Sequence, residues 1–128
     1  MNVLDENIVS HQRQLLEDRG LHLRQIGFEL GRAGMKDRNE VVPLLHTLRR
    51  PTFFTRDHDF YRADLRHAGY CLVLLDVKSR EAADFIRRFL RHPSFRTQAQ
   101  RMGKVVRVRH SGLSWWEVSA KTERAASW

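Results

Sequence analysis

The sequence predicts an α/β fold with a mostly parallel sheet, because short apolar runs alternate along the chain with helical patterns and glycine or proline marks many of the boundaries. A chain of 128 residues suits one domain, since at that size roughly two thirds of the unfolded surface is buried and one core suffices. No repeat, low-complexity tract or interdomain linker breaks the pattern. A single domain is expected over residues 1–118, followed by a polar, loose tail over 119–128.

Val3 and Leu4 open a short strand that runs into Asp5. Residues 8–19 read as a helix with Leu15 and Leu16 on its apolar side and Gly20 as its stop. Residues 21–26 make the second strand, and Gly27, Gly31 and Gly34 mark a loop that must bend freely. Asp37 precedes a second helix carrying Val41, Val42, Leu44, Leu45 and Leu48. Pro43 lies inside it without a backbone donor, so a kink or a later start is expected.

Thr52–Thr55 is rich in β-formers and ends in Arg56-Asp57-His58-Asp59, and Cys71–Leu75 is a buried strand ending at Asp76. Residues 81–91 form the plainest helix: Ala82, Phe85, Ile86, Phe89 and Leu90 share one face, while Asp84, Arg87, Arg88 and Arg91 share the other. Pro93 ends it. A short helix over 94–102, a strand over Lys104–Arg109 and an extended piece over 115–118 complete the expectation.

The lone cysteine, Cys71, excludes an intramolecular disulfide and fits a reducing compartment. No apolar stretch approaches the ~20 residues a membrane helix needs, and no signal-peptide pattern opens the chain, so a soluble cytoplasmic protein is expected. The net charge of +8 is unevenly placed: residues 1–60 carry nine Lys/Arg and nine Asp/Glu, residues 61–128 fourteen and six. Between Phe85 and Trp116 there is no acid, yet Arg87, Arg88, Arg91, Arg96, Arg101, Lys104, Arg107 and Arg109 fall there. Such a stretch fits a polyanionic partner. A solvated basic surface, or one that docks an acidic protein, is the alternative.

Ligands of open α/β sheets bind beyond the carboxyl ends of the strands. Asp5, Asp57 and Asp59 follow expected strands and Asp37 follows the glycine loop, so these acids converge if strands one and three are neighbours. Two carboxylates ~4 Å apart repel by about 4 kcal/mol at an effective dielectric near 20, so the group must take up protons or cations. Hard oxygen ligands without a His/Cys set select Mg²⁺ or Mn²⁺, and such a centre suits phosphodiester hydrolysis. The sequence holds no P-loop, dinucleotide fingerprint or zinc-type spacing. Each acid also has a structural reading: Asp37 with Glu40 as a capping box, Asp5 and Asp59 as caps, Asp76 as a turn residue.

Leu4-Asp5-Glu6-Asn7, Asp37 at a helix start and Thr55-Arg56-Asp57-His58-Asp59-Phe60 together resemble PIN-like proteins related to VapC-type toxins, over about residues 3–92. The resemblance implies a PIN-like three-layer α/β/α fold and an Mg²⁺- or Mn²⁺-dependent endoribonuclease. It carries the metal and catalytic roles onto Asp5, Asp37, Asp57 and Asp59, with Asp37 or Glu40 facing the metal, and it implies an antitoxin as partner. The basic side chains Arg87, Arg88, Arg91, Arg107 and Arg109 are the expected RNA contacts; the oligomeric state, a homodimer included, stays open. Two alternatives remain: a PIN-like module that binds nucleic acid or protein without catalysis, and a receiver-type signalling domain. The receiver pattern fits Asp5, Glu6 and Asp57 but wants Ser/Thr after strand four and Lys-Pro after strand five.

Overall fold

The computed structural model describes residues 1–35 and 37–128. Strands β1 (Asn2–Leu4), β2 (Leu23–Gln25), β3 (Thr52–Thr55), β4 (Cys71–Leu75), β5 (Lys104–Arg109), β6 (Gly112–Glu117) and β7 (Arg124–Ala126) form one sheet in the order β2-β1-β3-β4-β5-β6-β7. The first five are parallel, with Leu4 opposite both Gln25 and Phe54, and β6 and β7 add antiparallel to the edge. The architecture is α/β with a mostly parallel sheet and helices on both faces.

The faces follow from the period of two along each strand. Leu4, Phe54, Val73, Leu75, Val106 and Val108 pack with Leu16 of α1 (Ser10–Asp18) and with Phe85, Ile86 and Phe89 of α3 (Ala82–Arg91). Their neighbours Val3, Phe53, Leu72 and Val105 pack on the opposite side with Val41 and Leu45 of α2 (Arg38–His46) and with Phe60. All five residues of β4 are buried, and burial pushes the Cys71 thiol up to about 12.

The structure departs from the sequence-based expectation in several places. Leu15 is 41% exposed, because the inward stripe of α1 passes through Gln12 and Leu16, four residues apart. The buried Gln12 amide accepts the N–H of Ala83 at 2.8 Å, satisfying an orphan donor in the first turn of α3. Helix α2 starts directly after Asp37 and runs through Pro43, so the later start does not occur; Asp37 accepts from Asn39 N–H and holds the first turn. The short helix expected over 94–102 shrinks to α4 (Gln98–Arg101).

The segment after Ser119 is not loose throughout, since it contains β7. Leu113 lies opposite Ala126; the preceding Gly112 stands at φ +147, and a Cβ there would come to 2.5 Å from the Ala126 carbonyl oxygen. This pairing runs through backbone rather than apolar side chains. The tail closes with Trp128, whose indole N–H donates to the Arg109 carbonyl at 2.7 Å. No described helix is long and apolar enough to cross a membrane.

Candidate functional site

Parallel pairing of β1, β3, β4 and β5 puts Asp5, Asp57, Asp76 and Arg109 along one edge, where the carboxyl ends of the strands meet the loops. Because β1 and β3 are direct neighbours, Asp5 continues the ladder, its N–H donating to the Phe54 carbonyl at 2.9 Å. The Asp5 side chain is 2% exposed. Its Oδ2 accepts the Thr55 hydroxyl at 2.6 Å, and Thr55 Oγ1 in turn accepts the Asp57 N–H at 3.0 Å. Oδ1 is buried and has no hydrogen-bond partner among the described residues. Burial drives the Asp5 carboxyl above its usual range; Thr55 and the Glu6 N–H oppose this, and the charges of Asp57 and Glu6 add to it.

Buried Gln25 fixes the backbone that carries Asp5. Its amide donates to the carbonyls of Asp5 at 3.0 Å and Ile8 at 2.8 Å. Glu6 fastens the glycine loop alongside, accepting Gly34 N–H at 2.7 Å and packing against Gly27, which stands at φ +86 and where a Cβ would come to 3.0 Å from the Glu6 carboxyl group.

Asp57 heads the one-turn 3₁₀ helix His58–Phe60, and its Oδ1 accepts the Asp59 N–H at 2.9 Å. It is shared by two clefts. One, of about 370 Å³, is lined by Asp5, Asn7, Arg56 and Asp57; the other, of about 470 Å³, by Asp37, Arg38, Asn39, Asp57, Asp59 and Arg62. The single pocket expected for Asp5, Asp57 and Asp59 is therefore divided, because the capped turn places Asp59 on the Asp37 side. Among the described residues, no three His, Cys, Asp or Glu side chains stand together closely enough to share a cation.

The capping box expected at α2 is half formed. Asp37 caps through Asn39 N–H at 2.8 Å, but Glu40 pairs with Arg32 instead of returning to the backbone, so of this pair Asp37 is the one on the cleft.

Asp5 and Asp57 put two carboxylates on one cleft, oxygen donors of the type a hard divalent cation takes. An ionised carboxylate with a desolvated, unpartnered oxygen has uncompensated demand for positive charge, and all neighbouring acidic ligands are oxygen donors. Asp37 and Asp57 each use one carboxylate oxygen as a cap.

No family model, curated protein or solved structure matches the chain. Its chemistry is therefore read from its own side chains.

Asp76, read from sequence as a turn residue, belongs to the same edge. Its Oδ2 accepts Arg107 Nη2 at 2.7 Å and Nε at 3.1 Å, and its Oδ1 lies 3.5 Å from His58 Nε2. The Arg107 guanidinium holds the Asp76 carboxyl below its usual range, with His58 and Arg109 assisting against partial desolvation. The five arginines expected at RNA do not form one stripe. Arg107 is tied to Asp76, while Arg87 and Arg91 border a separate hollow with Arg19, Leu21 and Leu90. Arg88 stacks on Phe85 at 4.7 Å and on Trp128 at 4.6 Å, and Arg109 is exposed at the end of β5.

Proposed function

We propose that the chain is a metal-dependent endoribonuclease of PIN-like type, centred on Asp5 and Asp57, with Asp37 and Asp59 lining the adjoining cleft. The observation that carries this reading is the buried Asp5 Oδ1, without a partner among the described residues, on a cleft shared with a second carboxylate at the carboxyl edge of the sheet. Mg²⁺ or Mn²⁺ would be held by Asp5 and Asp57, where it supplies a lowered pKa for an attacking water and neutralises charge on the phosphodiester. Thr55 keeps Asp5 oriented and opposes the rise of its pKa that burial causes, and through the Asp57 N–H it fixes the spacing of the two acids. The arginines of α3 and the end of β5 supply positive potential for a polyanion.

A non-catalytic PIN-like binding module is the second reading, favoured by the caps that occupy one oxygen each of Asp37 and Asp57. The receiver-type alternative shares the order β2-β1-β3-β4-β5. It lacks its Ser/Thr and Lys-Pro, since Asp76 follows β4 and His110-Ser111 follows β5.

Incubation of the purified protein with mixed RNA, in Mn²⁺ and in EDTA, separates these readings. Cation-dependent cleavage that disappears in Asp57→Asn supports the nuclease. Cleavage that persists in EDTA, or at the wild-type rate in Asp57→Asn, refutes it, and tight RNA binding without cleavage favours the binding module.

A further inference from the structure

Arg56 stands in the chain between Thr55, which orients Asp5, and Asp57, and lines the same cleft as Asp5, Asn7 and Asp57. A guanidinium beside two carboxylates ordinarily collapses onto one of them. Here it does not: among the described residues Arg56 forms no ion pair, and its Nε donates to the backbone carbonyl of Val77, beyond β4, at 3.0 Å. That anchor across the edge of the sheet uses one of five N–H donors and leaves the two terminal amino groups without a protein partner among the described residues. They form a planar fork matched to two oxygens of a phosphate.

We propose that Arg56 is the substrate-binding residue that receives the scissile phosphodiester of single-stranded RNA, alongside the Asp5–Asp57 cation site. This assignment rests on the nuclease reading and adds its phosphate contact. A phosphodiester bound in this cleft bridges two unlike charges: its oxygens meet the guanidinium on one side and the carboxylate-held cation on the other. The strut to Val77 matters because it keeps the fork from neutralising Asp57 when substrate is absent. Arg107 cannot take the role, since Asp76 occupies two of its donors. Arg62 likewise spends two donors on Asp64.

The test uses wild type, Arg56→Gln and Arg56→Lys with a short single-stranded 2′-O-methyl RNA, which is not cleaved by attack of its own 2′-oxygen. Binding is measured across a salt series in EDTA, and cleavage of the unmodified RNA is measured separately in Mn²⁺. Arg56→Gln should weaken oligonucleotide binding about tenfold or more at low salt and reduce the salt slope of log K by about 0.7. Arg56→Lys should restore the slope but only part of the affinity, because a point charge replaces the fork. Mn²⁺ affinity, which a collapse of the site would lower, should stay at the wild-type value in both variants.

Wild-type affinity and slope in Arg56→Gln, with wild-type cleavage intact, overturn the assignment alone. Lost Mn²⁺ affinity in Arg56→Gln shows Arg56 to be a strut for the site and also overturns it. Wild-type protein that neither binds nor cuts RNA overturns the nuclease reading and the assignment with it.

Discussion

Thr55→Val is the most informative single change, because one buried hydroxyl joins both acids of the site. The substitution conserves shape at a position with no exposure, so little packing is lost. What disappears is the 2.6 Å bond to Asp5 Oδ2 and the acceptor for Asp57 N–H at 3.0 Å. A hydrogen bond to a buried charge contributes about 1.5–3 kcal/mol, and a part-buried N–H left unpaired adds about 1 kcal/mol. Thr55→Val should therefore cost about 2.5–4 kcal/mol at pH 7 in EDTA, read from urea unfolding. In an Asp5→Asn background the acceptor is neutral and its bond is worth only about 0.5–1.5 kcal/mol, so the double-mutant cycle should show a coupling near 1 kcal/mol. A Thr55→Val cost below about 0.5 kcal/mol, or the same cost in both backgrounds, would refute the claim that Thr55 stabilises an ionised Asp5.

Three further outcomes are expected. Asp5 has a raised folded-state pKa, so its contribution to stability is greatest when it is protonated and falls as pH rises from the unfolded value of 3.8 through the raised one. In metal-free buffer, Asp5→Asn should gain on wild type across that window; urea unfolding at stepped pH checks it, and a constant difference contradicts it. Asp76 has the opposite sign: its pairing with Arg107 stabilises the fold above the unfolded pKa and is lost as pH falls through the lowered one. The triple change Arg87→Gln, Arg88→Gln and Arg91→Gln should flatten the salt dependence of RNA binding by about 0.7 per lost contact while sparing Mn²⁺ affinity. An unchanged slope would remove the outer face of α3 from the RNA path.

Much of the framework was legible because period and punctuation agree. Strands β3, β4 and β5 stand at the bounds their apolar runs indicate, and α3 matches its amphipathic stripe apart from a preceding 3₁₀ turn. The adjacency of β1 and β3, on which the meeting of Asp5 and Asp57 depends, follows from the sheet order rather than from either strand's sequence. What escaped was structure made by polar atoms. Buried Gln12 and Gln25 act through single side-chain amides bonded to distant backbone, which no hydrophobic period reveals. Strand β7 is Arg-Ala-Ala, joined to β6 by backbone and admitted by a glycine at 112. The division of the acids between two clefts depends on Asp57 capping its own 3₁₀ turn, and the sequence run Asp57-His58-Asp59 is equally compatible with both acids facing one point. The strut from Arg56 to Val77 joins residues whose proximity only the β3–β4 pairing creates.

The proposed nuclease needs a divalent cation at Asp5, whose Oδ1 has no partner among the described residues. Mn²⁺ titration followed by electron paramagnetic resonance, at neutral pH on wild type and Asp5→Asn, tests it directly, since free Mn²⁺ gives a sharp signal that is lost on binding. Wild type should take up Mn²⁺ at a saturable site and Asp5→Asn should lose that uptake while remaining folded. Equal uptake by the two proteins, or none by wild type, would contradict the account.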